Sequence, residues 1–239
     1  MKSASRFLSA ALLLVAFARG EAAFLVIERL GVAQVRLGTG SNEGTSGVPW
    51  RDVENSMKIP PGSLLRTGDA SVLRFWLRPM ARLSLGEKSK LILSTEFAGN
   101  RQVHLAVVDE GRACLEAPRL EENLLHEIRL GEVRVQCGRG KVLVSRSAAE
   151  NTVSIWQWEG ESHVTADAAE DGASDDRGSR LGPVRGVSLA ARERLMVRNL
   201  RYSKRTFEGV PEEFGFAFVK PAAKPRGSEG YLDKRERWE

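Results

Sequence analysis

The sequence predicts an all-β protein, built either as an irregular β-solenoid or as a β-sandwich of short strands. Three observations carry that prediction. Apolar residues alternate with polar ones along most of the chain. Glycine, proline or charged turn residues break the alternation every ~8–12 residues, and no stretch holds a long helical period.

Taken in order, the first element is a leader. Lys2 and Arg6 precede the apolar run Phe7–Ala18, and small residues follow at Ala18-Arg19-Gly20. Roughly 12 apolar residues fall short of the ~20 a membrane-spanning helix needs. Residues 1–20 therefore read as a signal peptide, and the rest as periplasmic or secreted with no stable membrane span. The chain is formally +5; Lys2, Arg6 and Arg19 carry three of those charges, which leaves +2. A nearly neutral exported chain with its cations scattered through strands excludes nucleic acid as a partner.

Alternation starts at Val32–Leu37, and a polar, glycine-rich loop, Gly38–Gly47, follows. Pro60-Pro61-Gly62 ends the next segment. The run "SLLRTGDASVLRFWL" then places Leu73, Phe75 and Leu77 on the buried face of a strand. Gly62, Thr67, Gly68 and Asp69 have the composition of a structural turn, with Asp69 placed to accept backbone hydrogen bonds rather than to touch a ligand. Further apolar faces read as Ala81, Leu83 and Leu85, then Val103, Leu105 and Val107. Pro118–Ile128 is a short helix by the spacing of Leu120, Leu124 and Leu125, or else a loop with one buried leucine pair. Val133 with Val135, Val142 with Val144, and Val153 with Ile155 complete the strands. A weak repeat sets Gly31, Gly86, Gly111, Gly131 and Gly160 each at the start of a strand, at intervals too irregular for a regular solenoid. Asp167–Arg180 reads as a mobile acidic insertion. Residues 201–239 form a C-terminal extension, a disordered tail from about residue 220.

Two cysteines in an oxidising compartment favour a disulfide between Cys114 and Cys137. Strand parity opposes it: Cys114 falls opposite the Ala113, Leu115, Ala117 face, whereas Cys137 shares the face of Val133 and Val135, so a bridge requires a bulge or bend. Both states stay open at this level. His104, His126 and His163 lie far apart with no second ligand at metal spacing. "GTGSNEG" lacks both the lysine of a phosphate loop and a following helix. With no nucleophile elbow and only solvated carboxylate pairs, the chain predicts no enzyme, no metal and no cofactor. Trp156 and Trp158 in "SIWQWEG" share one strand face, opposite Val153 and Ile155. They either close the core from a second side or form a binding platform for a glycan or a protein.

One longer stretch, "VPWRDVENSMKIPPGSLLRTGDASVLRFWLRPMARLSLGEKSKLIL", resembles the FecR-like domain family of bacterial exported proteins. Trp50, then Gly62, Leu65, Thr67 and Gly68, then Leu83, Leu85, Ser89 and Leu91 match its tryptophan, its G-x-x-L-x-T-G turn and its L-x-x-x-S-x-L strand. "VVDEGRACLEA", "EVRVQCGRGKVLVSR", "VSIWQWEGESHVT" and "VSLAARERLMV" are similar to its later strands, so the likeness spans roughly residues 24–200. Two departures stand out: Arg78-Pro79-Met80 replaces the usual D-G-S, and Gly138-Arg139-Gly140 stands for its Gly-Thr. The resemblance implies an all-β module that, in transmembrane regulators, relays an outer-membrane signal to a sigma factor. With only a few residues before the leader, this chain reads as the extracytoplasmic module alone. The expected function is binding of an envelope or extracellular protein, or extracytoplasmic signalling; the alternative is a cell-wall or polysaccharide-binding module.

Overall fold

A computed structural model describes residues 24–38, 47–77, 80–119, 122–166, 186–199 and 201–218. The leader, most of the Gly38–Gly47 loop, Arg78-Pro79, the acidic insertion and the tail from residue 219 lie outside the described residues. The rest is strand almost throughout: β1 (Phe24–Leu30), β2 (Ala33–Arg36), β3 (Arg51–Asp52), β4 (Lys58–Ile59), β5 (Ser63–Thr67), β6 (Val72–Leu77), β7 (Ala81–Leu85) and β8 (Lys90–Ala98). These lead into three long strands and their neighbours, β9 (Arg101–Ala117), β10 (Leu124–Leu130), β11 (Val133–Ser147), β12 (Thr152–Ala166), β13 (Val187–Ala190), β14 (Glu193–Arg198) and β15 (Arg201–Thr206). A 3-10 turn, Glu212–Ala217, is the one helical element among the described residues. The all-β expectation holds.

Hydrogen-bond pairing sorts these strands into two layers. One runs β4-β1-β6-β7, then the second half of β9, the second half of β11, the first half of β12, β14 and β15. The other runs β3-β2-β5-β8, then the first half of β9, β10, the first half of β11, the second half of β12 and β13. Residues of both layers join one buried cluster, among them Leu65, Leu91, Val108, Ile128 and Val135 from one and Val26, Phe75, Leu83, Leu115, Val144 and Ile155 from the other. The sheet is thus continuous through its long strands yet folded into a sandwich around a single apolar core.

Side-chain parity inverts wherever a long strand changes layer. In β9 Ala106 and Val108 face the core before Gly111, and Ala113, Leu115 and Ala117 after it. In β11 the switch is from Val133, Val135 and Cys137 to Val142 and Val144, across a register shift at residues 137–140. In β12 it is from Val153 and Ile155 to Val164, across Gly160. This inversion corrects one expected face: His104, Ala106 and Val108, not Val103, Leu105 and Val107, point between the layers. The Pro118–Ile128 helix also gives way. Leu124–Leu130 is a strand, parallel to β9 and antiparallel to β11, because both neighbours offer it a full hydrogen-bond ladder and Ile128 and Leu130 a core to fill.

Four glycines of the irregular repeat, Gly31, Gly86, Gly111 and Gly160, mark passages between the layers, while Gly131 turns the β10–β11 hairpin within one layer. "GDAS" and "GEKS" make the same turn, with Ala70 and Lys88 at φ 47° and 51°. In the first, Ser71 Oγ accepts the Val32 N–H (2.9 Å) and donates to the Asp69 carbonyl (2.8 Å). In the second, Ser89 Oγ accepts the Arg112 N–H (2.9 Å) and donates to the Glu87 carbonyl (3.1 Å). Each serine abuts a glycine in left-handed backbone, Gly31 (φ 73°) or Gly111 (φ 92°), where a Cβ would overlap the serine hydroxyl. Thr67 Oγ1 links the two corners, donating to the Gly86 carbonyl (2.7 Å) and accepting the Ser89 N–H (2.9 Å).

Candidate partner-binding face

The outward face of the first layer carries a row of cross-strand neighbours: Glu28, Arg74, Ser84, Cys114, Leu143, Trp156, Arg194 and Arg205. Charged and aromatic residues on an outward face call for either solvent or a cover, and this face has both. Its larger part lies under residues 207–218. Phe214 is fully buried and meets Trp156 edge-on at 4.9 Å between ring centroids; Cys114 and Leu143 complete that cluster. Trp158 is half-buried between Phe207 and Phe218, with the Arg192 guanidinium 3.6 Å above its ring. Two cations hold the cover by its backbone. Arg74, 2% exposed and ion-paired with Glu28, donates from Nη2 to the Phe216 carbonyl (2.6 Å). Lys141 Nζ donates to the Ala217 carbonyl (2.9 Å) and sits over the Phe218 ring. One carbonyl belongs to Phe216 and the other lies between Phe216 and Phe218, both of which pack on the aromatic cluster, so the segment is fixed by rings and backbone together.

The two tryptophans share a face as their spacing requires, but Trp156 is 3% exposed and offers no open ring to a sugar. Of the two states open for the cysteines, the structure has the unbridged one. Cys114 and Cys137 are both free and buried, the first in the aromatic cluster and the second between the layers, on opposite sides of the sheet. Burial pushes both thiols up, Cys114 to about 12. Of the structural-turn residues, Gly62 has φ 81° and its N–H donates to the Leu93 carbonyl (2.7 Å). Gly68 does not have a left-handed angle; its constraint is one of approach, since a Cβ there would lie 3.2 Å from that of the exposed Val32, which would have to give by a few tenths of an ångström. The Asp69 carboxylate pairs with Lys88 in solvent (2.9 Å), and it is Glu87, not Asp69, that accepts the turn N–H of Ala70 (3.0 Å). The guanidinium groups of Arg36 and Arg66 both lie over the Trp50 ring, 4.6 and 4.1 Å from its centroid.

Two groupings escaped the sequence reading. His104 and His126 are direct neighbours on β9 and β10, 5.3 Å apart between centroids, under the edge of Phe24. Burial lowers both imidazoles to about 4, His104 adding to the effect on His126. Their Nδ1 atoms, with Thr95 Oγ1 and Ser162 Oγ on the same cross-strand row, have no hydrogen-bond partner. The missed signal is the parity inversion, which turns His104 inward. Among the described residues no group of three or more His, Cys, Asp and Glu side chains could hold a metal ion.

The second grouping is the open end of the outward face. On the β14–β15 hairpin Arg194 lies directly opposite Arg205, and Arg198 opposite Arg201, with Met196 opposite Ser203 between them. Four arginines therefore share one face, and two of them, Arg198 and Arg201, line a groove of about 570 Å³ with Met196, Asn199, Tyr202 and Ser203. Arg194 rests on Trp156 (4.5 Å) and reaches Ser154 Oγ (3.4 Å), whereas Arg198 and Arg205 have no ion-pair partner among the described residues. Like charges directly opposed across a ladder destabilise it. The Arg194/Arg205 pair is of this kind, whereas Arg201 has a partner of its own.

No protein-family model matches the sequence, and no curated protein matches it. Among solved structures, two crystal structures of a candidate anti-sigma factor from Parabacteroides distasonis are similar. They have TM-scores of 0.47 and are 13% and 14% identical. Each alignment covers 60% of this chain and 59% of the other, so the chain spans about three-fifths of the length of the protein it matches. No helix among the described residues is long and apolar enough to cross a membrane.

Proposed function

We propose that this chain is an exported, non-catalytic β-module of FecR-like type that binds a protein partner of the cell envelope, and that it does so through the open β14–β15 end of its outward face. One observation carries the reading: Arg194 lies directly opposite Arg205 on the hairpin, and like charges so placed oppose the ladder, which is expected of a surface kept for an anionic partner rather than for stability. The glycan alternative rests on stacking to Trp156 and Trp158, whose face is closed by residues 207–218. The test is retention from envelope extract on immobilised protein, beside retention of the protein on purified cell-wall glycan. Expected is one stoichiometric envelope protein, lost with Arg198→Glu. Glycan retention lost with Trp158→Ala, and no retained protein, would transfer the function to the alternative.

A further inference from the structure

We propose that the outward face of the first layer is a recognition site for a short aromatic segment of a protein partner, and that residues 212–218 hold it in cis as a built-in competitor. This site lies beyond the arginine hairpin and does not depend on it. What the face accepts is shown by what it holds. The turn Glu212–Ala217 and the following Phe218 present rings at alternate positions, and each ring has its own seat. Phe214 is enclosed by Cys114, Leu143 and Trp156. Phe216 lies over Gly86, where a Cβ would come within 2.9 Å of its ring. Gly86 has no left-handed angle, so the close approach of that ring is what a glycine permits there. Phe218 meets Trp158 edge-on at 4.9 Å, with the Lys141 ammonium 3.8 Å from its own centroid.

The face reads this segment through side chains rather than through a ladder. Arg74 and Lys141 hold two successive carbonyls, those of Phe216 and Ala217. Among the described residues the turn pairs with no strand; the Phe214 and Phe218 N–H groups donate within the cover, to the Pro211 (2.9 Å) and Gly215 (3.1 Å) carbonyls. A partner segment with three rings on the same turn therefore finds the same contacts. Opening leaves no buried charge alone, because Arg74 keeps Glu28 and Lys141 keeps Glu116 (3.9 Å). The connector permits it: Glu208, Gly209 and Val210 are exposed, and Gly209 has φ 71° with nothing within 4 Å of where a Cβ would stand. So short a connector holds the cover at an effective concentration on the order of millimolar. A partner segment displaces it at comparable concentration, or at lower concentration with further contacts of its own.

The probe is a fluorescent capped octapeptide with the sequence of residues 211–218, Pro-Glu-Glu-Phe-Gly-Phe-Ala-Phe, titrated onto the full chain and read by anisotropy. The site is vacated in the full chain by Phe214→Ala, Phe216→Ala and Phe218→Ala together. In a vacated chain that keeps its strand circular dichroism, saturable binding is expected, at least about tenfold tighter than to the natural chain. Adding Gly86→Ala should weaken it about tenfold, by filling the seat of the middle ring. Equal binding of a scrambled peptide, or no saturable binding, would overturn the recognition site. The natural chain supplies a measurement that needs no vacated site. Cys114 lies under the cover and Cys137 between the layers, so opening of the cover exposes only the first thiol to a dithiodipyridine reagent. Labelling of Cys114 well ahead of Cys137 is expected, about tenfold faster or more with Gly86→Ala. Both thiols reacting together, at the rate of global unfolding, would make the cover a fixed part of the fold and overturn competition in cis.

Discussion

At the scale of single residues, the corner glycines and the charged turn make opposite predictions. Gly111 combines φ 92° with a Cβ position 2.5 Å from the Ser89 Cα, so Gly111→Ala adds backbone strain and overlap at once. The two effects together are expected to cost about 3 kcal/mol, read as a fall in the urea midpoint. Asp69→Asn removes only a solvent pair with Lys88, both side chains more than two-thirds exposed, and should leave the urea midpoint unchanged. Equal effects would mean that the corner is held by its charges and not by its backbone. "TGDAS" was legible as a structural turn from composition alone. That Ala70 rather than Gly68 takes the left-handed angle was not, because the demand on Gly68 comes from Val32, which is 36 residues distant in sequence.

At the scale of elements, residues 207–218 act as a cover whose aromatic rings replace a third layer. Phe214 is completely buried against Trp156, and outside its own 3-10 turn the segment is tied to the sheet by the Phe207 N–H, which donates to the Arg192 carbonyl (3.0 Å), and by the Arg74 and Lys141 side chains. Its order therefore depends on side-chain burial. Phe214→Ala is expected to cost about 3–5 kcal/mol, with tryptophan emission shifted to the red in the native baseline as Trp156 gains solvent. An unshifted spectrum with unchanged stability would mean that Trp156 is protected without the cover. The strands were legible because alternation survives within each half-strand, as in Leu73, Phe75 and Leu77. The cover was not, since "EEFGFAF" has neither a strand ladder nor a helical stripe and is ordered only by the Trp156 face it meets. The same loss of local signal hid the inward face of β9: across Gly111 the alternation restarts in the opposite phase, and only the folded corner says so.

At the scale of the whole molecule, the inner row of the sandwich makes stability depend on pH. His104 and His126 sit side by side between the layers, each with an unpartnered Nδ1 and both lowered from 6.5 to about 4 by burial. The apolar side chains of Phe24, Leu77 and Leu93 surround the pair. Between those two values the unfolded chain binds protons that the folded chain refuses, so folding stability is complete above pH ~6.5 and falls as pH drops toward 4. A shift of this size corresponds to roughly 3 kcal/mol for each histidine at most, so the pair can remove a large share of the 5–15 kcal/mol typical of a folded domain. Carboxylates act in a lower window: Glu87 and Glu193 are held below 4.5 by their hydrogen bonds to backbone and to Arg112 and Lys204, and their contribution is lost only below that value. Urea midpoints at pH 7.5, 6.0 and 5.0 should fall steadily for the natural chain. In the doubly substituted His104→Leu, His126→Leu chain they should stay level to pH 5, while His163→Leu, which alters an exposed imidazole, should follow the natural chain. An equally steep fall in the leucine pair would place the acid sensitivity outside the sandwich core.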